Sequence, residues 1–514
     1  MLNKLTLEEK IGQMFMIGFD GISLPNKVKS FIVDKNIGGI ILFSRNINSI
    51  EQVVKLNKQL HLLGKTTPMI WTDQEGGNIV RFGEMAATGI SHMGITKTNN
   101  PKNAKTIASL IAKDMKSLGI DGVFAPVLDV NINEKNPVIG IRSFSDKPEI
   151  VVKYAEQFIA GLNSEGISSC GKHYPGHGAA SADSHLEIPK IFLSRDEFEE
   201  LSIFPFLELS DKLDSIMTAH VKYPNISDEI ATFSKKFIDE RYKNNSNFEG
   251  IVFSDCLEMK AISDNYSAEE IVYNSINAGI DVMIVSHTFS TQEEYYKITL
   301  NLVKTGVIKE ERINESVSRI LKLKNKYKTQ NTKHPTQLPA IRQDINIEKK
   351  IALNSINVLK NNNNKLPIKK DTKTLFLEFT NKTTNPAVLS EKTSKFEQIV
   401  KESFNNSDSL KLSLSGDLDI EKLSNNIDNY KNIVIFIYSY TGETKTKLNI
   451  IIEELFKKRD DIIIISLENP YEINDLSFIN TFICSYGFRD IHIEAILKTL
   501  KTYRQKVLHN LKNV

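Results

Sequence analysis

The first 330 residues contain eight short apolar runs, each separated from the next by a polar or amphipathic stretch. The runs cover residues 14–19, 38–43, 69–72, 122–130, 167–171, 215–219, 250–253 and 282–285. They are rich in Ile, Val and Met and mostly free of charged residues, which is typical of parallel strands buried on both faces. Eight such strands joined by helical segments predict a (β/α)8 TIM barrel over residues 1–330. An open doubly wound parallel sheet is the alternative fold.

A second α/β pattern begins near residue 350. The stretch before it, residues 331–349, contains Pro335 and Pro339 and little hydrophobic content, so it is predicted to be a linker. Five further apolar runs then alternate with helical stretches across residues 350–514. This pattern predicts a smaller three-layer α/β/α sandwich domain of five or six strands. It contains neither a phosphate-loop nor a dinucleotide-binding glycine signature.

The composition excludes several classes of protein. The formal net charge is only +2, which gives no electrostatic argument for nucleic-acid binding, and three scattered cysteines form no disulfide framework. No run of about 18 apolar residues occurs, so no membrane span is predicted. The N-terminus has no apolar signal core, so we expect a cytoplasmic protein, or a secreted or cell-surface one if a signal had been trimmed. We expect a monomer or weak dimer.

Polar residues follow nearly every one of the eight runs. Because barrel enzymes place their chemistry at the C-terminal ends of the strands, these residues are candidates for one common site. They are Ser44, Arg45, Asp73, Glu75, Arg81, Asp129, Arg142, Lys172, His173, His220, Asp255 and His287. Each also has a structural interpretation. Asp73 and Asp255 could be helix N-caps, and Asp129 is expected to hold the barrel wall.

Residues 171–185 hold three histidines, a lysine and an aspartate among small Gly, Ala and Ser residues. A flexible charged loop beside a barrel mouth is typical of a lid. Zinc ligands could come from His173, His177, Asp183 and His185. Their spacing matches no helical metal-binding pattern, and a mobile loop is a poor rigid cage. Neither a metal nor a cofactor is therefore predicted.

The same segment resembles the signature of glycoside hydrolase family 3. Residues 172–178 read K-H-Y-P-G-H-G and residues 183–185 read D-S-H, which is similar to the β-N-acetylglucosaminidase branch of that family. Four other stretches also resemble family motifs, at 73–82, 124–130, 139–144 and 253–259. The resemblance covers about residues 5–327 and implies a barrel followed by a second domain.

The resemblance also implies roles for individual residues. The mechanism would be retaining, with Asp255 as the nucleophile of a glycosyl-aspartate intermediate. His185 would be the acid/base, oriented by Asp183, where most retaining glycosidases use a second carboxylate. An unperturbed histidine titrates at about 6.5, which suits proton transfer near neutral pH. The residues implied to bind the terminal sugar are Asp73, Arg81, Arg142, Lys172 and His173.

The implied activity is hydrolysis of terminal non-reducing β-N-acetylglucosamine from small carbohydrate substrates, either cell-wall muropeptides, as in peptidoglycan recycling, or chitin-type oligosaccharides. A β-glucosidase or β-xylosidase, a phosphorylase using the same site, and a non-catalytic sugar-binding protein are the alternatives. The family's β-glucosidases take their acid from the second domain, where Glu468 could serve. The intact set of Asp183, His185 and Asp255 argues against a non-catalytic protein.

Overall fold

The computed structural model describes residues 2–184, 186–327, 338–380, 395–415, 420–440 and 442–504, without the side chains of Arg241 and Lys422. His185, the implied acid/base, therefore lies outside the described residues. The chain separates into two compact units that divide between Ile345 and Asn346. The predicted domain boundaries, with a linker at 331–349, stay a prediction, since residues 328–337 are also outside the described part.

Eight parallel strands form the barrel of the first unit. They are β1 (Phe15–Ile17), β2 (Gly39–Leu42), β3 (Met69–Thr72), β4 (Gly122–Val123), β5 (Cys170–Tyr174), β6 (Ser215–Thr218), β7 (Ile251–Phe253) and β8 (Met283–Val285). The ladders run β8-β1-β2-β3-β4 and β5-β6-β7. Isolated bridges, Gly122 to Ser168 and Phe253 to Val282, join these two sheets into a ring. The predicted (β/α)8 barrel is confirmed.

Aromatic side chains fill the interior of the barrel. Trp71 on β3 is fully buried, and its ring centroid lies 4.9 Å from that of Phe124 and 5.0 Å from that of Phe253. A Cβ atom at Gly122 would lie 2.5 Å from the indole. Glycine at the start of β4 therefore makes room for the tryptophan, and the barrel has a packed core.

Helices cover the outside of the barrel because each connection carries an apolar stripe at helical spacing. In Lys102–Ser117, for example, Ile107, Ile111 and Met115 are fully buried. The other helices of this unit are Leu7–Gln13, Asn26–Lys35, Ile50–His61, His92–Lys97, Pro148–Ser164, Arg195–Glu197, Phe204–Glu208, Lys260–Ser263, Ala268–Ala278, Phe289–Lys304 and Glu310–Lys326, with π-helical turns at Phe198–Ile203 and Lys236–Lys243. None of the helices in the described ranges combines the length and the hydropathy needed to cross a membrane.

The second unit contains a six-stranded sheet. Its strands are β9 (Asn357–Asn361), β10 (Thr374–Thr380), β11 (Ser407–Ser413), β12 (Asn432–Ile437), β13 (Ile463–Ser466) and β14 (Thr481–Cys484), in the order β9-β14-β13-β12-β10-β11. All pairs are parallel except β9 with β14. The helices are Ile345–Ser355, Phe396–Ser403, Ile420–Asn426, Gly442–Lys458, Glu472–Asp475 and Asp490–Thr502. The predicted smaller sandwich domain is confirmed.

Two barrel strands differ in extent from the apolar runs that predict them. The run at 122–130 contains a two-residue strand, β4, after which the chain passes through a cis Ala125–Pro126 bond. The run at 167–171 is shifted, because β5 continues through Lys172 and His173. The interior of the barrel is polar at this end, so charged residues are accommodated inside a strand.

Candidate active site

A cavity of about 370 Å³ lies where the barrel strands end. Its size falls in the range of sites for small ligands. It brings together six of the eight residues to which the family resemblance gives a role, namely Asp73, Arg81, Arg142, Lys172, His173 and Asp255. They come from the ends of four different strands, so the strands' common direction places them at one mouth.

Five charged side chains form an alternating ionic chain in this cavity, in the order Arg81, Asp73, Lys172, Glu75 and Arg142. Arg81 Nη2 lies 2.8 Å from Asp73 Oδ2, and Lys172 Nζ lies 2.9 Å from Asp73 Oδ1. Lys172 Nζ also lies 2.6 Å from Glu75 Oε1. The Arg142 guanidinium donates to both oxygens of Glu75, at 2.8 and 2.9 Å. Each carboxylate thus has two cationic partners.

These contacts keep the two carboxylates and Lys172 ionised. Burial raises the pKa of Asp73, but Lys172 and Arg81 outweigh that effect, so the pKa lies well below the ordinary value. Burial raises the pKa of Glu75 as well, but Arg142 and Lys172 outweigh that effect and hold the pKa well below its ordinary value. For Lys172, burial lowers the pKa, whereas the two carboxylates raise it above its usual value. The cavity therefore holds fixed charges that need no proton exchange before a ligand binds.

A tight hairpin after β3 places three of these residues. Its arms are Gln74–Gly76 and Ile79–Val80. The Gln74 side chain accepts a hydrogen bond from the Arg81 backbone N–H, at 3.0 Å. Gly76 and Gly77 have φ values of +106° and +62°, and a Cβ atom at either would lie within 3 Å of the backbone of residues 90–91. Only glycine suits this turn, which sets Asp73, Glu75 and Arg81 around the mouth.

Arg142 is held from behind by two contacts. Its Nη1 donates to the Val138 carbonyl at 3.1 Å, and His92 Nδ1 lies 2.6 Å from the Arg142 carbonyl oxygen. The His92 ring stacks on Phe144 with a centroid distance of 4.2 Å. Burial lowers the pKa of His92 to about 4, so this histidine is neutral. The guanidinium fork is consequently aimed by packing as well as by Glu75.

Asp129 is fully buried and holds the end of β5 and the start of the loop that follows it. Its Oδ2 accepts from the backbone N–H of His173 at 3.2 Å and lies 2.7 Å from His173 Nδ1. Its Oδ1 accepts from the backbone N–H of His177 at 2.6 Å. Burial raises the pKa of Asp129, but His173 lowers it to a net value below normal. With Nδ1–H turned to the carboxylate, His173 Nε2 faces Arg142 Nη2 at 3.4 Å.

Asp255 follows β7 and is half-buried at the cavity wall. Its Oδ1 accepts from the backbone N–H of Cys256 at 2.7 Å. The Cys256 sulfur lies 3.0 Å from Ser286 Oγ, and burial raises the pKa of this thiol to about 11. His220 Nε2 lies 3.0 Å from the Cys256 carbonyl oxygen. His220 therefore supports the backbone next to Asp255, as expected of a hydrogen-bonded histidine at a barrel end.

The segment after β5 brings only part of the implied acid/base pair into view. Asp183 is half-buried, and its carbonyl oxygen accepts from the backbone N–H groups of Leu186 and Glu187 at 2.9 and 3.1 Å. Ser184 is buried and lines the cavity. Ser184, which follows Asp183 in the chain, thus lines the same cavity as Asp255.

Sequence reasoning gave no binding role to Glu75, which links Lys172 to Arg142 in the ionic chain. A signal was present, because Asp73 and Glu75 are two residues apart, and in extended chain such residues point to the same side. Sequence reasoning also gave no role in the site to Ser184 and Cys256, and it made Ser286 a candidate only by its place after the eighth run; all three line the cavity. No group of three or more His, Cys, Asp or Glu residues within the described ranges could hold a metal ion.

Comparison with known proteins identifies relatives of this chain. Residues 6–323 match the family model described as "Glycosyl hydrolase family 3 N terminal domain". Beta-hexosaminidase A of Pseudoalteromonas piscicida is 31% identical over 334 residues, which are 59% of this chain and 56% of that protein. Beta-hexosaminidase of Alkalilimnicola ehrlichii is 36% identical over 279 residues, which are 52% of this chain and 79% of that protein.

A solved structure resembles the whole chain. It is described as a glycoside hydrolase family 3 beta-N-acetylglucosaminidase from Paenibacillus sp. str. FPU-7. The TM-score is 0.91 at 28% sequence identity, and the match covers 97% of this chain and 97% of that one. The similarity therefore extends through both units, whereas this chain spans little more than half the length of the Pseudoalteromonas relative.

Proposed function

Because the chain belongs to glycosyl hydrolase family 3, we propose that it is a retaining exo-glycosidase. It would release terminal non-reducing β-N-acetylglucosamine from cell-wall or chitin-type oligosaccharides. One observation carries this proposal: Asp255 and the five side chains of the ionic chain line the same cavity. The names of the beta-hexosaminidase relatives and of the Paenibacillus enzyme support the choice of sugar.

The ionic chain suits recognition of a sugar ring. Sugar hydroxyls both donate and accept hydrogen bonds, and the chain sets cationic donors next to anionic acceptors. Arg81, Lys172 and Arg142 supply N–H groups, while Asp73 and Glu75 supply carboxylate oxygens. Since these groups already hold one another in place, binding requires little reorganisation of the protein.

Asp255 would attack the anomeric carbon of the bound sugar. The glycosidic C–O bond then breaks, a glycosyl ester forms on Asp255, and the aglycone oxygen takes a proton from His185. In the second step water gives a proton back to His185 and attacks the same carbon, which releases the sugar and frees Asp255. Asp183 would orient the imidazole and stabilise its charged form.

The nucleophile is tested with Asp255→Asn, which keeps the shape of the side chain and removes its charge. We expect turnover of an aryl β-N-acetylglucosaminide to fall by several orders of magnitude. Asp34→Asn, an exposed carboxylate on Asn26–Lys35, serves as the matched control and should retain full activity. A 5-fluoro glycosyl donor should label Asp255, and a label on any other carboxylate would contradict the assignment.

Substrate and acceptor are tested in one assay on the wild-type protein. Aryl β-N-acetylglucosaminide and aryl β-glucoside are compared with and without phosphate. We expect the N-acetylated substrate to be strongly preferred and the product to be the free sugar. Preference for the glucoside would support a β-glucosidase, whereas formation of a sugar 1-phosphate would show a phosphorylase.

The acid/base pair is tested by its dependence on the leaving group. A dinitrophenyl leaving group needs little protonation, so His185→Ala should keep much of its glycosylation rate on that substrate and nearly stop on disaccharides. Azide should rescue the second step, because azide needs no general base. Asp183→Ala should show a milder form of the same pattern. An equal loss on every substrate, with no azide effect, would exclude His185 from proton transfer.

A further inference from the structure

His177 lies at the base of the loop that follows β5, and only 2% of it is exposed. Its backbone is held at both ends: the N–H donates to Asp129, and the carbonyl oxygen accepts from Asn136 Nδ2 at 2.8 Å. Its ring Nε2 lies 3.0 Å from the hydroxyl of Ser184. Ser184 is itself 3% exposed and lines the cavity. A hydrogen bond therefore crosses from the fixed base of the loop to its far arm.

The next residue adds a second attachment to the barrel. A Cβ atom at Gly178 would lie 1.6 Å from the Val130 carbonyl oxygen, so the loop backbone packs directly against the chain that leaves β4. The Gly178 carbonyl oxygen also accepts from the Asn133 N–H at 3.1 Å. The position of the His177 ring is therefore set by the barrel wall and not by the loop alone.

The ring stays neutral while it makes this bond. Burial lowers the pKa of His177 to about 4, although Asp129 opposes that effect. A neutral imidazole can donate to or accept from a hydroxyl, so the bond to Ser184 persists across the neutral pH range. Residues 179–182, between the two arms, are Ala, Ala, Ser and Ala. Ala180 is fully buried, and its carbonyl oxygen accepts from Asn133 Nδ2 at 3.0 Å, whereas Ser181 is exposed.

We propose that His177 is a positioning residue that docks Ser184 against the cavity wall and so sets the place from which residues 183–185 act. This inference rests on the proposed function, in which that segment carries the acid/base pair. His177 acts through Ser184 and takes no part in proton transfer. Loss of the bond lets the far arm move away, and the proton donor then reaches the glycosidic oxygen less often.

Two variants break the bond from its two ends, Ser184→Ala and His177→Phe. Each should lower kcat/KM on an N-acetylglucosaminyl disaccharide about five- to tenfold, the usual worth of one neutral hydrogen bond. The kcat/KM on the dinitrophenyl glycoside, which reports the glycosylation step alone, should change less than about twofold, since that leaving group needs little protonation. The double variant should be no worse than either single one, because both remove the same bond. Ser184→Thr, which keeps the hydroxyl, should restore most of the disaccharide activity.

Ser215→Ala is the matched control. It removes one buried hydroxyl bond, to the Ser169 carbonyl at 2.8 Å, at the opposite end of the barrel strands. It should show no dependence on the leaving group. Equal losses on both substrates in Ser184→Ala, or additive losses in the double variant, would overturn the positioning role.

Hydrogen exchange separates a failure of this inference from a failure of the proposed function. Amide exchange in residues 179–187 should speed up about five- to tenfold in Ser184→Ala and His177→Phe relative to the wild type, whatever the substrate proves to be. Unchanged exchange would overturn the docking. If exchange responds but Asp255→Asn remains fully active, the docking stands and the proposed function is wrong.

Discussion

Replacement of Lys172 by methionine removes the charge that the two carboxylates of the ionic chain share. Lys172 is 2% exposed, and its Nζ lies 2.9 Å from Asp73 and 2.6 Å from Glu75. Breaking a buried ion pair costs about 3–5 kcal/mol, because it leaves a charge without compensation. Here Asp73 keeps Arg81 and Glu75 keeps Arg142, so we expect the free energy of unfolding to fall by about 3 kcal/mol at neutral pH.

The stability lost in Lys172→Met should be smaller at acidic pH than at neutral pH. In the wild type the folded-state pKa values of Asp73 and Glu75 lie below their ordinary values, so their stabilisation is present above about pH 5 and is lost as the pH falls through the folded values. In Lys172→Met each carboxylate has one cation fewer against the same burial, so its folded pKa rises. The difference in the free energy of unfolding between the wild type and Lys172→Met should therefore be largest near neutral pH and should become smaller as the pH falls below about 4.

Tryptophan fluorescence gives an assay that reports on the barrel. The chain has a single tryptophan, Trp71, which is fully buried inside the barrel and becomes exposed when that unit unfolds. Urea unfolding curves at neutral pH and at about pH 3, below the ordinary pKa values of the two carboxylates, give the midpoint and slope for each variant. Lys29→Met, an exposed lysine on Asn26–Lys35, should change stability by less than about 0.5 kcal/mol. A Lys172→Met protein that matches this control, or loses the same stability at both pH values, would refute the argument.

Two further predictions concern the surroundings of the site. Gly178→Ala should destabilise the barrel by about 1–3 kcal/mol in the Trp71 unfolding assay, because its Cβ would overlap the Val130 carbonyl oxygen. Ser181→Ala changes an exposed residue of the same loop and should be nearly neutral in that assay. Cys256 should resist alkylation at neutral pH and react faster only as the pH approaches about 11, because burial raises its pKa. Rapid labelling at neutral pH, followed by mass spectrometry, would show that the thiol is ionised.

Local pattern was enough to predict the architecture. The eight apolar runs and the helices between them are set by side-chain periodicity, which each segment carries by itself, so the barrel and the sandwich could be predicted without tertiary information. The extent of β5 was misjudged for the same reason. Its last residues include Lys172 and His173, and a polar residue ends a run when only neighbours along the chain are considered.

The candidate residues were also visible in the sequence, because polar side chains after successive parallel strands must meet at one end of a barrel. The ion-pair and hydrogen-bond partners of these residues could not be predicted from the sequence. Lys172 lies about a hundred positions along the chain from Asp73 and Glu75, and Arg142 lies on yet another connection, so only closure of the barrel decides which charges neutralise which. The same holds for Asp129, whose carboxylate binds His173 in the following strand and His177 in the loop after it. The sequence by itself determined which elements form and which residues are available for chemistry. Tertiary structure decided the pairing, because ion pairs and hydrogen bonds depend on distances of a few ångströms between segments that are remote along the chain.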